Sequence, residues 1–220
     1  MIARDLIKDT IPPLKTSDTG LKALSWMDEF RVSHLPIVNA TTFLGLISEE
    51  DILNLNAPEQ PLGNHSLSLS QPFIGESRHV YEAIKLIARL KIDVLPVLDE
   101  DQQYLGLITL PDLVQSLASI MAIEGSGSVV VLELNTRDYS LSEIAHIVEA
   151  DDAKILSSYL TSSPDSAKLE LTININKLEI SRILASLARY DYKVIASYQE
   201  SEYSRDLQTR FDALMNYLKI

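Results

Sequence analysis

The chain has 220 residues, 46% of them hydrophobic and 23% charged, which fits a soluble globular protein of one large or two ordinary domains. Its formal net charge of −12, with 19 scattered basic residues, argues against a nucleic-acid partner, and the lack of cysteine excludes disulfides, thiolate catalysis and zinc–sulfur sites. No stretch approaches the roughly 20 apolar residues of a membrane helix, and the N-terminus has no signal-like apolar run, so a cytoplasmic protein without a membrane partner is expected.

Residues 1–16 read as a short opening helix leading into the extended Ile11-Pro12-Pro13, because proline disfavours helix in the residue before it. Leu21, Leu24 and Met27 begin a helical stripe with Asp18 as its cap. Leu35–Val38 is a short buried strand, Asn39–Thr42 a turn, and Phe43–Ile47 a second strand. Ser48 then starts a helix carrying Ile52, Leu53 and Leu55. Residues 56–71, with Pro58, Pro61, Gly63 and a Ser/Leu alternation, form a linker.

From Pro72-Phe73-Ile74 the pattern repeats. A helix is predicted over about Val80–Lys91, strands on either side of the turn Asp99–Gln102, and a closing helix over about Leu110–Met121. Glu124–Ser128 is small and polar and reads as an interdomain joint.

Beyond it, Val129–Leu134 is a buried strand and Leu141, Ile144, Ala145 and Val148 mark one face of a helix. A strand follows over Ala153–Leu160. Leu169, Leu171, Ile173 and Ile175 alternate with polar residues in a half-exposed strand. Ile180, Ile183, Leu184 and Leu187 mark a second helix, and Lys193–Tyr198 a last strand. The order β-α-β-β-α-β is the ferredoxin-like one. A tail over 203–220 carries Leu207, Phe211, Leu214 and Leu218 in one helical stripe.

The two halves of residues 1–121 are copies. Ser33-His34-Leu35-Pro36-Ile37-Val38 recurs as Asp93-Val94-Leu95-Pro96-Val97-Leu98 at an offset of 60 residues. Ala23, Leu24 and Met27 recur as Ala83, Ile84 and Ile87, and Leu44-Gly45-Leu46-Ile47-Ser48 as Leu105-Gly106-Leu107-Ile108-Thr109. Such duplication means a supersecondary module whose copies bury their apolar faces against one another. The element resembles the CBS domain, in the apolar-Leu-Pro strand, the Leu-Gly-Leu-Ile strand and the Ser/Thr-x-x-Asp after it. The expected architecture is α/β (α+β): repeats over 1–55 and 72–121, linker 56–71, an ACT-like domain over 128–200 and a tail helix. A CBS pair with an ACT domain is similar to the acetoin-utilisation type of bacterial CBS protein.

The resemblance implies a cleft for adenosine-type ligands, with AMP, ADP, ATP or S-adenosylmethionine as regulatory ligand and no cofactor. The Asp of each motif would take the ribose hydroxyls and the Ser or Thr would meet phosphate. A carboxylate has the acceptor sites for two hydroxyls, and a helix N-terminus favours an anion. Ser-x-x-Asp opening a helix is equally a plain capping box. The favoured cleft comprises Thr109 and Asp112 with Ile11, Pro12 and His34 of the opposite copy. The second comprises Ser48 and Asp51, where Asp93 would repel phosphate.

The ACT resemblance rests on Val131–Leu134 and Leu141–Ile147. The turn Arg137-Asp138-Tyr139-Ser140 lacks the glycine of an amino-acid site, so a scaffolding role is expected. His34, His65, His79 and His146 show no metal-ligand spacing, Asp151-Asp152 reads as a solvated helix end, and Gly125-Ser126-Gly127 lacks the length and lysine of a phosphate loop. The expectation is a non-enzymatic sensor that binds an adenosine ligand, forms a homodimer and acts on an unknown protein partner. The alternative is a structural adaptor with empty clefts.

Overall fold

The two copies of the repeat carry the same local signals and fold the same way. Thr19 caps α1 (Gly20–Phe30) by accepting the Lys22 N–H, and the helix stops at Arg31, in the left-handed region at φ 56°. His79 caps α3 (Val80–Leu90), which stops at Lys91 at φ 55°. The expected cap Asp18 instead accepts the Lys15 N–H and pairs with the Lys22 ammonium, because Thr19 already holds the capping position one residue on. These statements describe a computed structural model over residues 1–8, 10–65, 67, 69–135, 137, 139–162 and 168–199. Two structural units meet between Ser116 and Leu117.

In the first unit, β1 (His34–Asn39) pairs antiparallel with β2 (Thr42–Ser48), and β4 (Val94–Leu98) with β5 (Tyr104–Thr109). Both ladders slip at the same place, Ile37/Val38 and Val97/Leu98. β3 (Ile74–Gly75) lies parallel to β4, and a single parallel bridge from Leu14 to Ile37 is its counterpart in the first copy. The closing helices are α2 (Glu49–Leu53) and α4 (Leu110–Ile120). Leu35, Ile37 and Ile47 of one copy share a core with Leu95, Val97 and Ile108 of the other. Burying each such side chain is worth about 1.5–3 kcal/mol before ordering costs.

The lead-ins cross over. Instead of a helix through residue 16, the N-terminus makes one 3₁₀ turn, Ala3–Leu6, and Lys8 then bridges Leu107 of the second copy. The second copy's lead-in reaches back: Ser70 bridges Leu46, whose N–H donates to the Ser70 carbonyl. Between the copies Leu62 is buried in a short 3₁₀ turn, and Leu67 and Leu69 pack on the core.

The second unit contains β6 (Ser128–Asn135), α5 (Leu141–Glu149), β7 (Ile155–Ser162), β8 (Lys168–Ile175), α6 (Ser181–Arg189) and β9 (Lys193–Gln199). The strands are ordered β7-β8-β6-β9 and every pairing is antiparallel, the ferredoxin-like arrangement expected from β-α-β-β-α-β. Leu171, Ile173 and Ile175 face inward, as their alternation requires, against Val130, Leu132, Ile144, Ile183 and Leu187.

Three residues depart from expectation. Ser128, expected in a flexible joint, opens β6; it is fully buried and its hydroxyl donates to the Leu178 carbonyl. Gly127 is packed as well, since a Cβ there would lie 2.4 Å from the Ile175 carbonyl oxygen. Leu141, expected on the buried stripe, is exposed, and the inward face of α5 is Ile144, Ile147 and Val148. Residue 141 opens the helix, where no preceding turn covers it. The predicted tail helix over 203–220, with Leu207, Phe211, Leu214 and Leu218, lies outside the described residues.

Candidate functional site

Each copy ends its second strand on a hydroxyl residue that caps the closing helix, and the residue before its first strand accepts that helix's first N–H. Glu49 donates to the Ser33 carbonyl at 2.9 Å, and Leu110 to the Asp93 carbonyl at 2.8 Å. Up to this point the two sites match. Their carboxylates then diverge.

At the first site Asp51 turns back on its own cap. One carboxylate oxygen, Oδ2, accepts the Ser48 N–H at 2.9 Å and the Ser48 hydroxyl at 2.6 Å, while the Asp51 N–H donates to Ser48 Oγ at 3.1 Å. This is a closed capping box. It fixes the start of a helix only five residues long.

At the second site Thr109 is buried, and its hydroxyl donates to Asp112 Oδ2 at 2.6 Å while Oγ1 accepts the Asp112 N–H at 3.2 Å. The other carboxylate oxygen faces the ammonium of Lys8 at 2.7 Å. Burial works to raise the Asp112 carboxyl, but the hydrogen bonds from Lys8 and Thr109 and the Lys8 charge outweigh it and hold it below the ordinary carboxylate range. Lys8 Nζ also lies 3.5 Å from Gln115 Oε1, one turn along α4. The structural counterpart of Lys8 is Ser70, since both bridge the equivalent leucine of the opposite copy. One carboxylate therefore meets a cation from the crossing lead-in, and the other meets none from the equivalent position.

The remaining expected residues fall as follows. Ile11 is buried in the core and Pro12 is exposed, both on the lead-in between Lys8 and Leu14. His34 opens β1 opposite Ser48 in the β1–β2 register, and its Nδ1 lies 2.8 Å from Asp93 Oδ1. The other Asp93 oxygen accepts the Ser33 N–H. Burial tends to raise the Asp93 carboxyl, yet the hydrogen bonds from His34 and Ser33 and the His34 charge lower it on balance. The structure thus joins Lys8, Thr109 and Asp112 in one group, and Ser33, His34 and Asp93 in another that spans the copies. Sequence reading passed over Lys8. The available signal was its place in the lead-in, three residues before Ile11.

In the second unit, Ser140 caps α5 by accepting the Glu143 N–H at 3.4 Å. The outward face of the sheet holds a recess of about 450 Å³, lined chiefly by Met121, Ile123, Val129, Tyr159, Thr172 and Tyr198. Among the described residues no group of three or more His, Asp or Glu is arranged to hold a metal. None of the helices among them is long and apolar enough to cross a membrane.

The sequence profile of the CBS domain matches residues 3–57 and again 68–119. Among solved structures, the chain is similar to a CBS domain pair/ACT domain protein from Thermotoga maritima, with 23% identity over 54% of this chain and 98% of that one and a TM-score of 0.48. It is also similar to the CBS-pair protein CBSX2 from Arabidopsis thaliana, with 22% identity over 54% and 95% and a TM-score of 0.46; CBSX2 has been solved in complex with AMP. A third is the CBS domain of the bacterial CNNM/CorC family Mg²⁺ transporter in complex with ATP, with 18% identity over 54% and 87% and a TM-score of 0.43.

Proposed function

We propose that this chain, whose residues 3–57 and 68–119 are a tandem CBS domain pair, is a non-catalytic sensor that binds an adenine nucleotide or related adenosine ligand in the cleft of Thr109 and Asp112. The observation that carries this reading is the divergence of the two carboxylates. Each carboxylate bonds its own cap through one oxygen, but the other oxygen of Asp112 faces the ammonium of Lys8 from the opposite copy, a cation that the Asp51 site does not receive from Ser70 at the equivalent place. A carboxylate held below its ordinary range stays ionised at neutral pH and can accept both hydroxyls of a ribose. The eleven-residue α4 begins beside it, with a dipole that favours an anionic group. Ligand binding would then shift the relative arrangement of the copies and alter a protein partner. The second unit is read as the ACT-like scaffold of a homodimer.

A structural adaptor remains the second reading, and one observation favours it: both carboxylates already have partners within the chain. Thermal shift and calorimetry with AMP, ADP, ATP and S-adenosylmethionine, on the wild type, Asp112→Ala and Asp51→Ala, separate the two. Binding should weaken about ten- to a hundredfold in Asp112→Ala, the loss of a charge-assisted hydrogen bond, and change little in Asp51→Ala. Abolition by Asp51→Ala places the ligand in the other cleft. No response to any of the four leaves the adaptor.

A further inference from the structure

The crossing lead-in gives the Asp112 cleft something its duplicate lacks. Lys8 is fixed at its backbone by the bridge to Leu107, but its side chain is half exposed, against 18% for that of Asp112. The ammonium sits on the carboxylate oxygen left over by Thr109. A ribose arriving at Asp112 therefore meets a competitor. A lysine on a four-carbon stem is a point charge that re-aims without moving its backbone, and an ion pair this exposed is weak. Lys8 is cheap to displace, and once displaced it is a free cation at the mouth of a site whose chain carries a net charge of −12. At the first site the equivalent place is held by Ser70, which carries no charge.

Resting on the reading of Asp112 as the ribose acceptor, we infer that Lys8 is the specificity residue of that cleft: it blocks Asp112 when the cleft is empty and pairs with the phosphate when a nucleotide is bound. The same side chain thus disfavours an uncharged nucleoside, which displaces it without compensation, and favours a nucleotide, which gives it a new anion. Discrimination between the two follows from one residue acting with opposite sign on each.

The test is calorimetric titration of the full chain with adenosine and with AMP, on the wild type, Lys8→Met and Lys8→Arg, each first checked for an unchanged unfolding midpoint. Lys8→Met should bind AMP about tenfold more weakly, and adenosine about two- to fivefold more tightly as the exposed ion pair is removed. Lys8→Arg, which keeps the charge, should retain the preference for AMP. If Lys8→Met changes both affinities in the same direction and by the same factor, or changes neither, the role of Lys8 is refuted while the cleft stands. If the wild type and Lys8→Met bind neither ligand, the reading of Asp112 as a ribose acceptor falls, and the role of Lys8 with it.

Discussion

Gly45→Ala tests the crossing of the second copy's lead-in over the first copy. Gly45 lies in β2 at φ +148°, where side chains are rarely tolerated, and the returning lead-in passes directly over it. A Cβ built there would meet Leu69 Cβ at 2.6 Å and the Ser70 carbonyl oxygen at 2.8 Å. Both approaches are far inside ordinary contact, and one obstacle is backbone, so no rotamer change relieves it. The left-handed conformation costs about 1–3 kcal/mol for a residue with a side chain, and forcing a methyl into packed backbone about 1–3 more. The sum is a loss of about 2–6 kcal/mol, with the Leu46–Ser70 hydrogen bond the first to break. The chain has a single tryptophan, Trp26, packed against the core of this same unit, so its fluorescence in a urea titration reports on the affected unit. Gly125→Ala is the control, since nothing lies within 4 Å of its Cβ, and it should leave the Trp26 transition unmoved. A loss below about 0.5 kcal/mol in Gly45→Ala, within the range of an ordinary surface change, would refute the crossover as described.

Two further outcomes are expected. Because the Asp93 carboxyl is held below its ordinary value of 3.8 in the folded state, its contribution to stability is present above that value and lost as pH falls through the lowered one. Urea unfolding of Asp93→Asn should therefore show a stability deficit that closes in acid; a deficit independent of pH down to the acid transition would refute the His34–Asp93–Ser33 linkage. In the second unit, Asn174 donates to the Met121 and Ala122 carbonyls and Ser157 to Met121. Asn174→Ala should remove the Asn174 donor from the Ala122 carbonyl, while the Met121 carbonyl keeps Ser157, at a cost of about 1–3 kcal/mol, and speed amide exchange in residues 117–123, and unchanged exchange there would show that the segment is held by other contacts.

A large part of the fold was legible because repeats and periodicity are local properties. The offset of 60 residues foretold that Leu95-Pro96-Val97 would lie in its copy as Leu35-Pro36-Ile37 lies in the first; the matching slip in each ladder came from the structure alone. The alternation of Leu171, Ile173 and Ile175 foretold their burial, because successive side chains of a strand face opposite ways. The helix caps were legible to within a residue: Ser48 as expected, and Thr19 where Asp18 was expected. Ser128 was misplaced because its small polar side chain looks like a linker residue until a buried carbonyl, that of Leu178, supplies its partner.

What only the tertiary structure decided is how two nearly identical motifs came to differ. Ser48-x-x-Asp51 and Thr109-x-x-Asp112 are equivalent as strings, and either can cap its helix. The first closes on itself, while the second shares its carboxylate with Lys8. No local pattern encodes that difference, since Lys8 and Asp112 meet only after the first copy's lead-in crosses to β5 of the second. The pairing of His34 with Asp93 is of the same kind: His34, which opens β1, and Asp93, just before the matching strand β4, become neighbours through the packing of the pair. A duplicated sequence specifies its elements twice over. The polar contacts between the copies described above, Lys8 with Asp112 and His34 with Asp93, lie where the copies differ in charge, and those positions acquire meaning only when the chain has brought them together.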